Sequence, residues 1–384
     1  MTVAFFSSQS PRYPGAGGIR AKYLLKALNA AKIGTVRFLT LENTDRQSDE
    51  SWVRLSSPIS NENSILKRLF LELVLSFKLL FWIFKKRYSL RCMIISSPAF
   101  IPALCAGLFC KFFKIKYYLD IRDVYPEVYF ESGLISRKSI TYKALNKLVS
   151  FWYREASIIF VATKGISRLI SEQYFVDTVL ALNGFPVSLL DKRKPNNQRF
   201  KDTTIITHGI LGRFQNVDLL CDLINHPNLA RFKFIVIGYG PEFFKVEALT
   251  SPRCKVYSRM PYNEVIKIVS NCHIGLSLRD DSIISMDAFP VKVWEYIGLG
   301  LKVISVPKND ASEFIIENKL GIGIFNNNKN IVANEIVKLV KNKDKYELAI
   351  KDYNNFEITK FSRESICSEM IEKVAKDLNY NLTS

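Results

Sequence analysis

Two carboxylates around a predicted helix start are the residues whose types and spacing point most directly to chemistry. Asp287 precedes the helix, Pro290 is typical of a first helical position, and Glu295 lies two turns inside it. Both carboxylates can then face the helix N-terminus, where unpaired N–H groups and the helix dipole favour a phosphate. Carboxylates accept hydrogen bonds from sugar hydroxyls, so the spacing suits a nucleotide sugar. On spacing alone, a capped helix with a solvent-facing Glu295 explains the pattern as well.

Three charged residues at the end of a predicted buried strand form a second group. Asp120, Arg122 and Asp123 follow an apolar run that starts at Tyr117. Burying such charges is costly unless they are paired or face a cleft, so they are candidate site residues. An Arg–Asp pair with a purely structural role is the alternative.

The full string around Glu295 resembles a known family. From Asp287 to Ile304 it reads Asp-x-Phe-Pro-x-Lys-x-x-Glu-Tyr-x-x-x-Gly-x-x-Val-Ile, which is similar to the donor-site signature of the family-four retaining glycosyltransferases of the GT-B fold. Asp287 stands where those proteins usually have a glutamate. The string from Asp120, Asp-x-Arg-Asp-x-Tyr-Pro, resembles a motif of the amino-sugar-transferring members, with Tyr125 in place of a tryptophan. The resemblance covers nearly the whole chain and is most specific over 203–305.

The resemblance implies an α/β protein of the GT-B fold, with two Rossmann-like domains facing across a cleft. It implies a glycosyltransferase that moves a sugar from a nucleotide-sugar donor to a polyprenyl-diphosphate-linked saccharide in bacterial surface polysaccharide assembly. The reaction would retain the anomeric configuration and need no metal or other cofactor, because amides and basic residues stabilise the departing diphosphate. By resemblance the catalytic residues are Asp120, Arg122 and Asp123, and Arg20 binds the acceptor. The implied donor-binding residues are Gly17, Gly18, Gly209, Gly212, Arg213, Gly238, Gly240, Arg259, Asp287, Ala288, Phe289, Pro290, Lys292 and Glu295.

One departure from the family pattern concerns the diphosphate. Many members carry an Arg and a Lys after the first glycine loop, but Ile210 and Gln215 occupy those places here. Arg213 and Lys292 are the candidate replacements. The nucleotide base is expected near the turn at 258–261.

The glycines after the first strand do not fit a dinucleotide-binding turn. In that turn the glycines follow the strand at once, and a third glycine comes three residues after the second. Here a longer loop precedes Gly15 and Gly17, and Arg20 occupies the third place. The loop resembles instead the N-terminal loop of the glycosyltransferases, which approaches the donor diphosphate and the acceptor. A plain flexible turn is the alternative.

Strand and helix patterns alternate in two sets of comparable size, which predicts two Rossmann-like domains. We expect an N-terminal acceptor and membrane-facing domain over 1–190 and a donor domain over 200–355. A C-terminal helix within 356–384 is expected to cross back to the N-terminal domain. The strand-end loops of the second set should lie at one edge of a parallel sheet, where open α/β folds bind ligands.

Composition narrows the class of protein. The 384 residues are 48% hydrophobic and carry a net charge of +18, concentrated in the N-terminal half, which predicts a folded protein with an anionic partner. Seven scattered cysteines and three histidines argue against a disulfide framework and against a Cys/His metal site. The N-terminus is interpreted as a strand and not as a signal peptide. A cytoplasmic protein, peripheral on the inner face of the plasma membrane, is therefore expected.

The segment 64–86 predicts a helix with a basic face and a broad apolar face. The charged residues within one arc are Lys67, Arg68, Glu72, Lys78, Lys85 and Lys86. The apolar residues that occupy the rest are Leu66, Leu69, Phe70, Leu73, Phe77, Leu80, Phe81 and Phe84. The charges are too many for a transmembrane span, but they suit a helix that lies on an anionic membrane. An ordinary helix packed on a sheet is the alternative.

Two other classes of protein stay open. A GT-B-fold sugar-nucleotide epimerase would have the same fold but no reason for an apolar, basic helix at 64–86. A basic nucleic-acid-binding protein would explain the charge, but the sequence contains no recognised module, and its positive charge alternates with Leu and Phe blocks that suit lipid. We therefore expect no nucleic-acid partner.

Overall fold

The computed structural model describes residues 1–11, 16–40, 52–55, 65–97, 99–131, 133–286, 289–341 and 358–379. The chain divides into two compact units, one of residues 1–182 with 364–384 and the other of residues 183–363. Each unit is built on its own parallel sheet. The two Rossmann-like sets that the sequence predicts are therefore present.

The strands and helices alternate along the chain. The strands are β1 (Thr2–Phe6), β2 (Thr35–Thr40), β3 (Trp52–Arg54), β4 (Leu90–Ser96), β5 (Lys116–Ile121), β6 (Ile158–Val161), β7 (Val179–Leu180), β8 (Thr204–Ile210), β9 (Lys233–Tyr239), β10 (Cys254–Tyr257), β11 (Ile274–Leu278), β12 (Lys302–Val306) and β13 (Gly321–Gly323). The helices are α1 (Ala16–Ala31), α2 (Ile65–Lys86), α3 (Phe100–Phe112), α4 (Glu127–Glu131), α5 (Ile140–Arg154), α6 (Lys164–Tyr174), α7 (Val217–Asn225), α8 (Phe243–Glu247), α9 (Tyr262–Val269), α10 (Ile283–Met286), α11 (Val291–Gly298), α12 (Asp310–Glu317), α13 (Lys329–Lys341) and α14 (Arg363–Asp377).

Both sheets have a doubly wound strand order. The first is β3-β2-β1-β4-β5-β6-β7 and the second is β10-β9-β8-β11-β12-β13. In each sheet the order reverses beside the unit's first strand, between β1 and β4 and between β8 and β11. Such a reversal opens a crevice at the carboxyl ends of the two strands, where folds of this kind bind ligands. The topology therefore locates a candidate site in each unit.

Helices cover both faces of the first sheet. Its strands are continuous apolar runs such as Met93–Ile95, which is typical of a parallel sheet buried on both sides. One face packs in a core with Leu79 of α2 and Trp152 of α5. The other face packs with Leu24 of α1 and Ile371 of α14. The C-terminal helix, predicted within 356–384 and observed from Arg363, is thus part of the core of the first unit.

Helix α2 packs on the first unit through a stripe that the sequence analysis did not single out. Leu75, Leu79 and Ile83 form this stripe and are fully buried. Glu72 is also buried, with 2% of its surface exposed, and accepts a hydrogen bond from the backbone N–H of Ile101 at 3.3 Å. The prediction that Glu72 shares a solvent-facing basic arc is therefore wrong, because its carboxylate binds the first turn of α3.

The opposite face of α2 is apolar and exposed. We call it the α2 aromatic face, and its exposed members are Phe70, Leu73, Phe77, Phe81 and Phe84. The lysines Lys78, Lys85 and Lys86 are exposed beside it, while the side chains of Lys67 and Arg68 lie outside the described ones. Packing on the sheet thus accounts for one face of this helix, and the other face is exposed among the described residues.

The helices also bear on whether the chain could cross a membrane. Within the described part of the chain, none of them combines the length and the apolar composition that a bilayer span requires. This agrees with the prediction that the charges of α2 are too many for a transmembrane helix.

Candidate functional site

The crevice of the second unit lies where β8 and β11 end side by side. His208 and Gly209 belong to the last residues of β8, and Arg279 follows β11 directly. Helix α11 begins at the same edge, because a helix that connects two parallel strands runs antiparallel to them. Three separate stretches of the sequence therefore meet at this edge of the sheet.

Helix α11 begins one residue later than predicted. Pro290 is its N-cap, with the extended backbone angles φ −61° and ψ 136°, and Val291 is the first helical residue. The Phe289 ring stacks on Trp294, with 4.3 Å between the ring centroids, and both rings are buried. Phe289 thus anchors the turn before the helix, and only its backbone is available for the predicted donor contact.

Glu295 lies two turns inside α11 and is 5% exposed, so the interpretation of a solvent-facing Glu295 is wrong. Its Oε2 atom is 3.3 Å from Nε2 of His208, without hydrogen-bond geometry. Burial raises the pKa of Glu295, against the opposing influence of Arg363, Tyr262 and Lys292. Burial and the charge of Lys292 lower the pKa of His208 to about 3, so its imidazole is neutral at pH 7. A buried carboxylate beside a neutral imidazole can bind sugar hydroxyls with both groups.

Two basic side chains share the same edge. Nζ of Lys292 lies 3.4 Å from Oγ1 of Thr207, and burial together with the charge of Arg279 lowers the pKa of Lys292 to about 8. The backbone N–H of Arg279 donates to Val306 at 2.8 Å, and its guanidinium lies 5.9 Å from the Phe214 ring centroid. The Nε atom of Arg279 is buried and has no hydrogen-bond partner among the described residues.

His208 and Arg279 are residues of this edge that the sequence analysis missed. Both come at or directly after the end of a predicted strand, and that position is the signal that could have found them. Neither belongs to the strings that carry the family resemblance. The sequence therefore shows that these two residues lie at strand ends but contains no motif that marks them as site residues.

The glycines after β8 and β9 differ in what they do. Gly209 has a φ of +114°, and nothing lies within 4 Å of where its Cβ would be, so its backbone borders open space. Gly240 also has a positive φ, but a Cβ there would lie 2.5 Å from the carbonyl oxygen of Leu211. A Cβ on Gly238 would lie 2.8 Å from Cδ1 of Leu211. Packing against Leu211 therefore requires glycine at both places, and the donor contacts of Gly209, Gly238 and Gly240 stay predictions.

Arg259 lies at the predicted place of the nucleotide base. Its guanidinium is 5.0 Å from the ring centroid of Tyr239, and both side chains are exposed. Tyr239 ends β9 and Arg259 follows β10, so the pair belongs to the same edge of the sheet as Glu295. An exposed ring at this place offers a surface on which a base can stack.

The structure does not test the donor roles of four predicted residues, Gly212, Arg213, Asp287 and Ala288. Gly212 precedes a single 3-10 turn at Arg213–Gln215, and the side chain of Arg213 lies outside the described ones. Asp287 and Ala288 lie outside the described residues altogether. Their donor roles stay predictions.

In the first unit, Arg20 and Asp120 bind each other. Nη2 and Nε of Arg20 donate to Oδ1 of Asp120 at 2.7 and 2.9 Å, and Ser96 Oγ donates to the same carboxylate at 2.9 Å. Arg20 also donates to the carbonyl of Leu182 and to the sulfur of Met370. Asp120 is 0% exposed and Arg20 is 6% exposed. This burial favours the structural alternative, with Arg20 as the arginine, over the predicted catalytic role of Asp120 and acceptor-binding role of Arg20.

Arg122 and Asp123 both follow β5, but their side chains differ in how far they are exposed. The backbone N–H of Arg122 donates to Ser97 Oγ at 3.1 Å, its Nε is buried without a hydrogen-bond partner in the described part of the chain, and burial lowers its pKa. A Cβ on Gly17 would lie 2.8 Å from Nη1 of Arg122. Gly17 therefore lets the guanidinium of Arg122 approach the first turn of α1, and Gly17 and Gly18 both lie inside this helix and not in the predicted loop before it. Asp123 is exposed.

Comparison with known proteins links the second unit to one family. The family model described as glycosyl transferases group 1 matches residues 190–355. A curated relative, the probable glycosyltransferase WbjE of Pseudomonas aeruginosa, is 23% identical over 221 residues, which are 54% of this chain and 55% of that protein. The matched region thus spans about half the length of that relative.

Solved structures share the fold over almost the whole chain. A sucrose-phosphate synthase of Thermosynechococcus elongatus has a TM-score of 0.68 at 13% identity, and the match covers 98% of both chains. HepE of Anabaena, solved with UDP-glucose, has a TM-score of 0.67 at 13% identity over 98% of this chain and 100% of that one. A putative UDP-N-acetylglucosamine 2-epimerase of Listeria monocytogenes has a TM-score of 0.61 at 11% identity, over 98% and 96%. These likenesses confirm the predicted GT-B fold, which transferases and an epimerase share.

Proposed function

We propose that this protein transfers a sugar from a nucleotide sugar that its second unit binds, because residues 190–355 match the family model of the group 1 glycosyl transferases. The observation that carries the proposal is the buried Glu295 carboxylate beside neutral His208, at the crevice where this fold binds ligands. The open backbone at Gly209 supplies room for the ligand at the same edge. In Anabaena HepE, a structure of the same fold, UDP-glucose is the bound molecule.

The roles of the donor-binding residues follow from their places. Glu295 binds ribose hydroxyls, and the ring of Tyr239 with Arg259 borders the base. The N–H groups at the start of α11 and nearby cations stabilise the charge that develops on the departing diphosphate. The acceptor hydroxyl attacks from the face that the nucleoside diphosphate leaves, so the anomeric configuration is retained. The chemistry is proposed to need no metal.

The first unit is proposed to bind the acceptor. Asp123 is the exposed carboxylate at the end of β5, so it is the proposed contact of the acceptor hydroxyl. Arg122 has a buried Nε without a described partner, which suits a phosphate of a lipid-linked acceptor. Asp120 takes no part, because its carboxylate is engaged by Arg20.

Glu295→Gln is expected to weaken nucleoside diphosphate binding about tenfold or more. The change keeps the shape of the side chain but removes the charge from hydrogen bonds that are worth about 1.5–3 kcal/mol each. Calorimetric titration measures the affinity, and circular dichroism checks that the protein stays folded. Glu264→Gln, on the exposed start of α9, is the matched control and should bind as the unaltered protein does. Unchanged affinity in the Glu295 variant would remove this residue from the site.

Incubation with the nucleotide sugar alone separates the proposed transferase from an epimerase. A transferase without an acceptor leaves the sugar configuration unchanged, apart from slow hydrolysis. NMR of the mixture should therefore show only the original nucleotide sugar, free sugar and nucleotide. A second, epimeric nucleotide sugar would favour the rival function.

A lipid-linked acceptor would place the first unit at an anionic membrane, and the α2 aromatic face suits that surface. Phe77 is 73% exposed and Phe81 is 59% exposed, and contiguous exposed apolar side chains mark interaction sites. The exposed Lys85 lies over the Phe81 ring at 4.5 Å. Phe112 at the end of α3 is a further exposed ring. Aromatic rings beside lysines are typical of a helix that lies in a membrane interface. The location at the inner membrane face and the absence of a nucleic-acid partner both stay predictions.

Replacing Phe77 and Phe81 by Ser is expected to reduce flotation with anionic vesicles several-fold. The buried rings contribute roughly 25 cal/mol per Å² of apolar surface removed from water, and each basic residue near the surface adds about 1 kcal/mol. Replacing Lys67, Arg68, Lys78, Lys85 and Lys86 by Gln should release the protein as well, because both contributions are needed. Phe244→Ser, an exposed ring of the second unit, is the control and should float normally. Equal flotation of all variants at physiological salt would contradict this assignment.

A further inference from the structure

The carboxyl edge of the second sheet brings two cations together. Arg279 follows the end of β11, and Lys292 lies in the first turn of α11. Among the described residues, neither forms an ion pair within 4.0 Å, and Nζ of Lys292 donates a hydrogen bond to Oγ1 of Thr207 at 3.4 Å. The two charges reach this edge from different elements, so their meeting is a property of the fold and not of a local sequence.

The acidic residue next to Arg279 in the chain is already engaged. Asp280 accepts a hydrogen bond from Ser282 Oγ at 2.7 Å and another from Ser285. These bonds hold its carboxylate to the turn that leads into α10. The guanidinium of Arg279 keeps a buried Nε–H that no described atom accepts. A buried, unpaired donor of this kind is costly in the free protein.

The two cations also repel each other. Burial and the charge of Arg279 both lower the pKa of Lys292, to about 8, and burial lowers the pKa of Arg279. Glu295 attracts Lys292, but this attraction is the weakest of the three influences. Bringing an anion between two such cations would relieve the repulsion and satisfy the Nε–H of Arg279.

The end of β8 and the loop after it carry Ile210 and Gln215 in the places where the family pattern has basic residues, and the side chain of Arg213 between them lies outside the described ones. Ile210 is 53% exposed there, and Gln215 ends the following 3-10 turn. Among the described side chains of this edge, Arg279 and Lys292 supply positive charge from the β11 and α11 sides. The start of α11, an eight-residue helix, adds N–H groups that favour the same sign of ligand.

We propose that Arg279 and Lys292 bind the diphosphate of the nucleotide-sugar donor between them, with Arg279 as a donor-binding residue that no sequence motif identifies. The proposal rests on the proposed function, because it assigns part of the same donor site. Arg279 has a planar guanidinium that contacts phosphate oxygens with two N–H groups, and Lys292 adds a point charge. Two cations and a helix start match the charge of a diphosphate better than that of a single carboxylate.

Calorimetric titration of the full chain tests the assignment. The unaltered protein is first titrated with uridine, guanosine, thymidine, adenosine and cytidine diphosphates, and the tightest of them is then compared with its own monophosphate and nucleoside. Arg279→Gln is expected to weaken diphosphate binding at least tenfold and to change nucleoside binding less than twofold. Arg279→Lys should recover part of the loss because it restores the charge. Arg231→Gln is the matched control, since Arg231 is an exposed arginine that precedes β9 and so belongs to the opposite edge of the same sheet.

The outcomes distinguish the assignment of Arg279 from the proposed function on which it rests. A loss confined to the diphosphate, present in the Arg279 variant and absent from the Arg231 variant, supports it. Unchanged diphosphate affinity in Arg279→Gln, or an equal loss for diphosphate and nucleoside, overturns it and leaves the proposed function intact. Failure of the unaltered protein to bind any of the five nucleotides overturns the proposed function as well. Thermal melting of each variant shows whether a loss comes from unfolding, and if Arg279→Gln is unfolded, the same criteria apply to Arg279→Lys and Lys292→Gln.

Discussion

Asp120→Asn is expected to destabilise the first unit by about 3–5 kcal/mol, because it leaves a buried arginine without its counter-charge. Arg20 makes three hydrogen bonds to this carboxylate, and both side chains are buried. Burial alone would raise the pKa of Asp120, but the charge and hydrogen bonds of Arg20, with Arg122 and Ser96, hold it below its usual value. A loss of this size is a large part of the total stability of a domain, which is typically about 5–15 kcal/mol.

The pH dependence of this contribution has a definite sign. A carboxylate whose folded pKa lies below its unfolded pKa binds fewer protons in the folded state. The stability that Asp120 contributes is therefore complete above its unfolded pKa, and it is lost as the pH falls through the folded pKa. In Asp120→Asn this acid-dependent part should be missing.

Urea unfolding measures the loss, and hydrogen exchange of peptides from α1 and β5 locates it in the first unit. Asp177→Asn is the control, because this carboxylate of the first unit is exposed and its replacement should change stability by no more than about 0.5 kcal/mol. Replacing both partners, Arg20→Met with Asp120→Leu, should recover much of the stability, since apolar residues can replace a buried ion pair. Normal stability of Asp120→Asn with a loss of turnover would instead restore the catalytic role that the sequence predicts.

The sequence predicts the fold well because its signals are local. Apolar runs such as Ile274–Leu278 recur with helical patterns between them, and parallel strands require such crossovers. The order of the strands follows from right-handed, short connections. The packing stripe of α2 is harder to predict, because Leu75 and Phe77 are both apolar and only the tertiary structure decides which of them meets the sheet.

The site is predicted only where one local element carries it. Glu295 is placed correctly inside α11, because helical spacing fixes its distance from Pro290. Arg20 and Asp120 are 100 residues apart in sequence, so no local pattern indicates that they bind each other and withdraw from the site. Arg279 is missed for a related reason, since a single arginine after a strand becomes informative only when the fold sets Lys292 beside it.

Lys292→Met is expected to stabilise the free protein at pH 7 by up to about 3 kcal/mol and to remove most of its affinity for a nucleoside diphosphate. Burial and then the charge of Arg279 lower the pKa of Lys292 from 10.5 to about 8, and each pKa unit corresponds to about 1.4 kcal/mol. The groups near the ammonium are Arg279 directly after β11, Thr207 and neutral His208 from β8, and Glu295 from its own helix. Met keeps the unbranched shape without the charge, so the change removes the electrostatic cost with little loss of packing.

The pH dependence of this stability difference distinguishes the removal of a buried charge from a change in packing. Above pH 10.5 the lysine is neutral in both states and costs nothing. As the pH falls toward 8 the unfolded chain takes up a proton that the folded protein does not, so stability falls, and below 8 the full cost remains. The difference in melting temperature between Lys292→Met and the unaltered protein should therefore be largest at pH 7 and should shrink toward pH 10.

A nucleoside diphosphate should reverse the order of the two melting temperatures at pH 7, since it stabilises by mass action only the protein that binds it. Equal melting temperatures of the two free proteins at pH 7 would mean that a group outside the described residues already neutralises Lys292. A free protein that loses stability to hold these two charges, and regains it when an anion binds, is what a site built for a charged ligand requires.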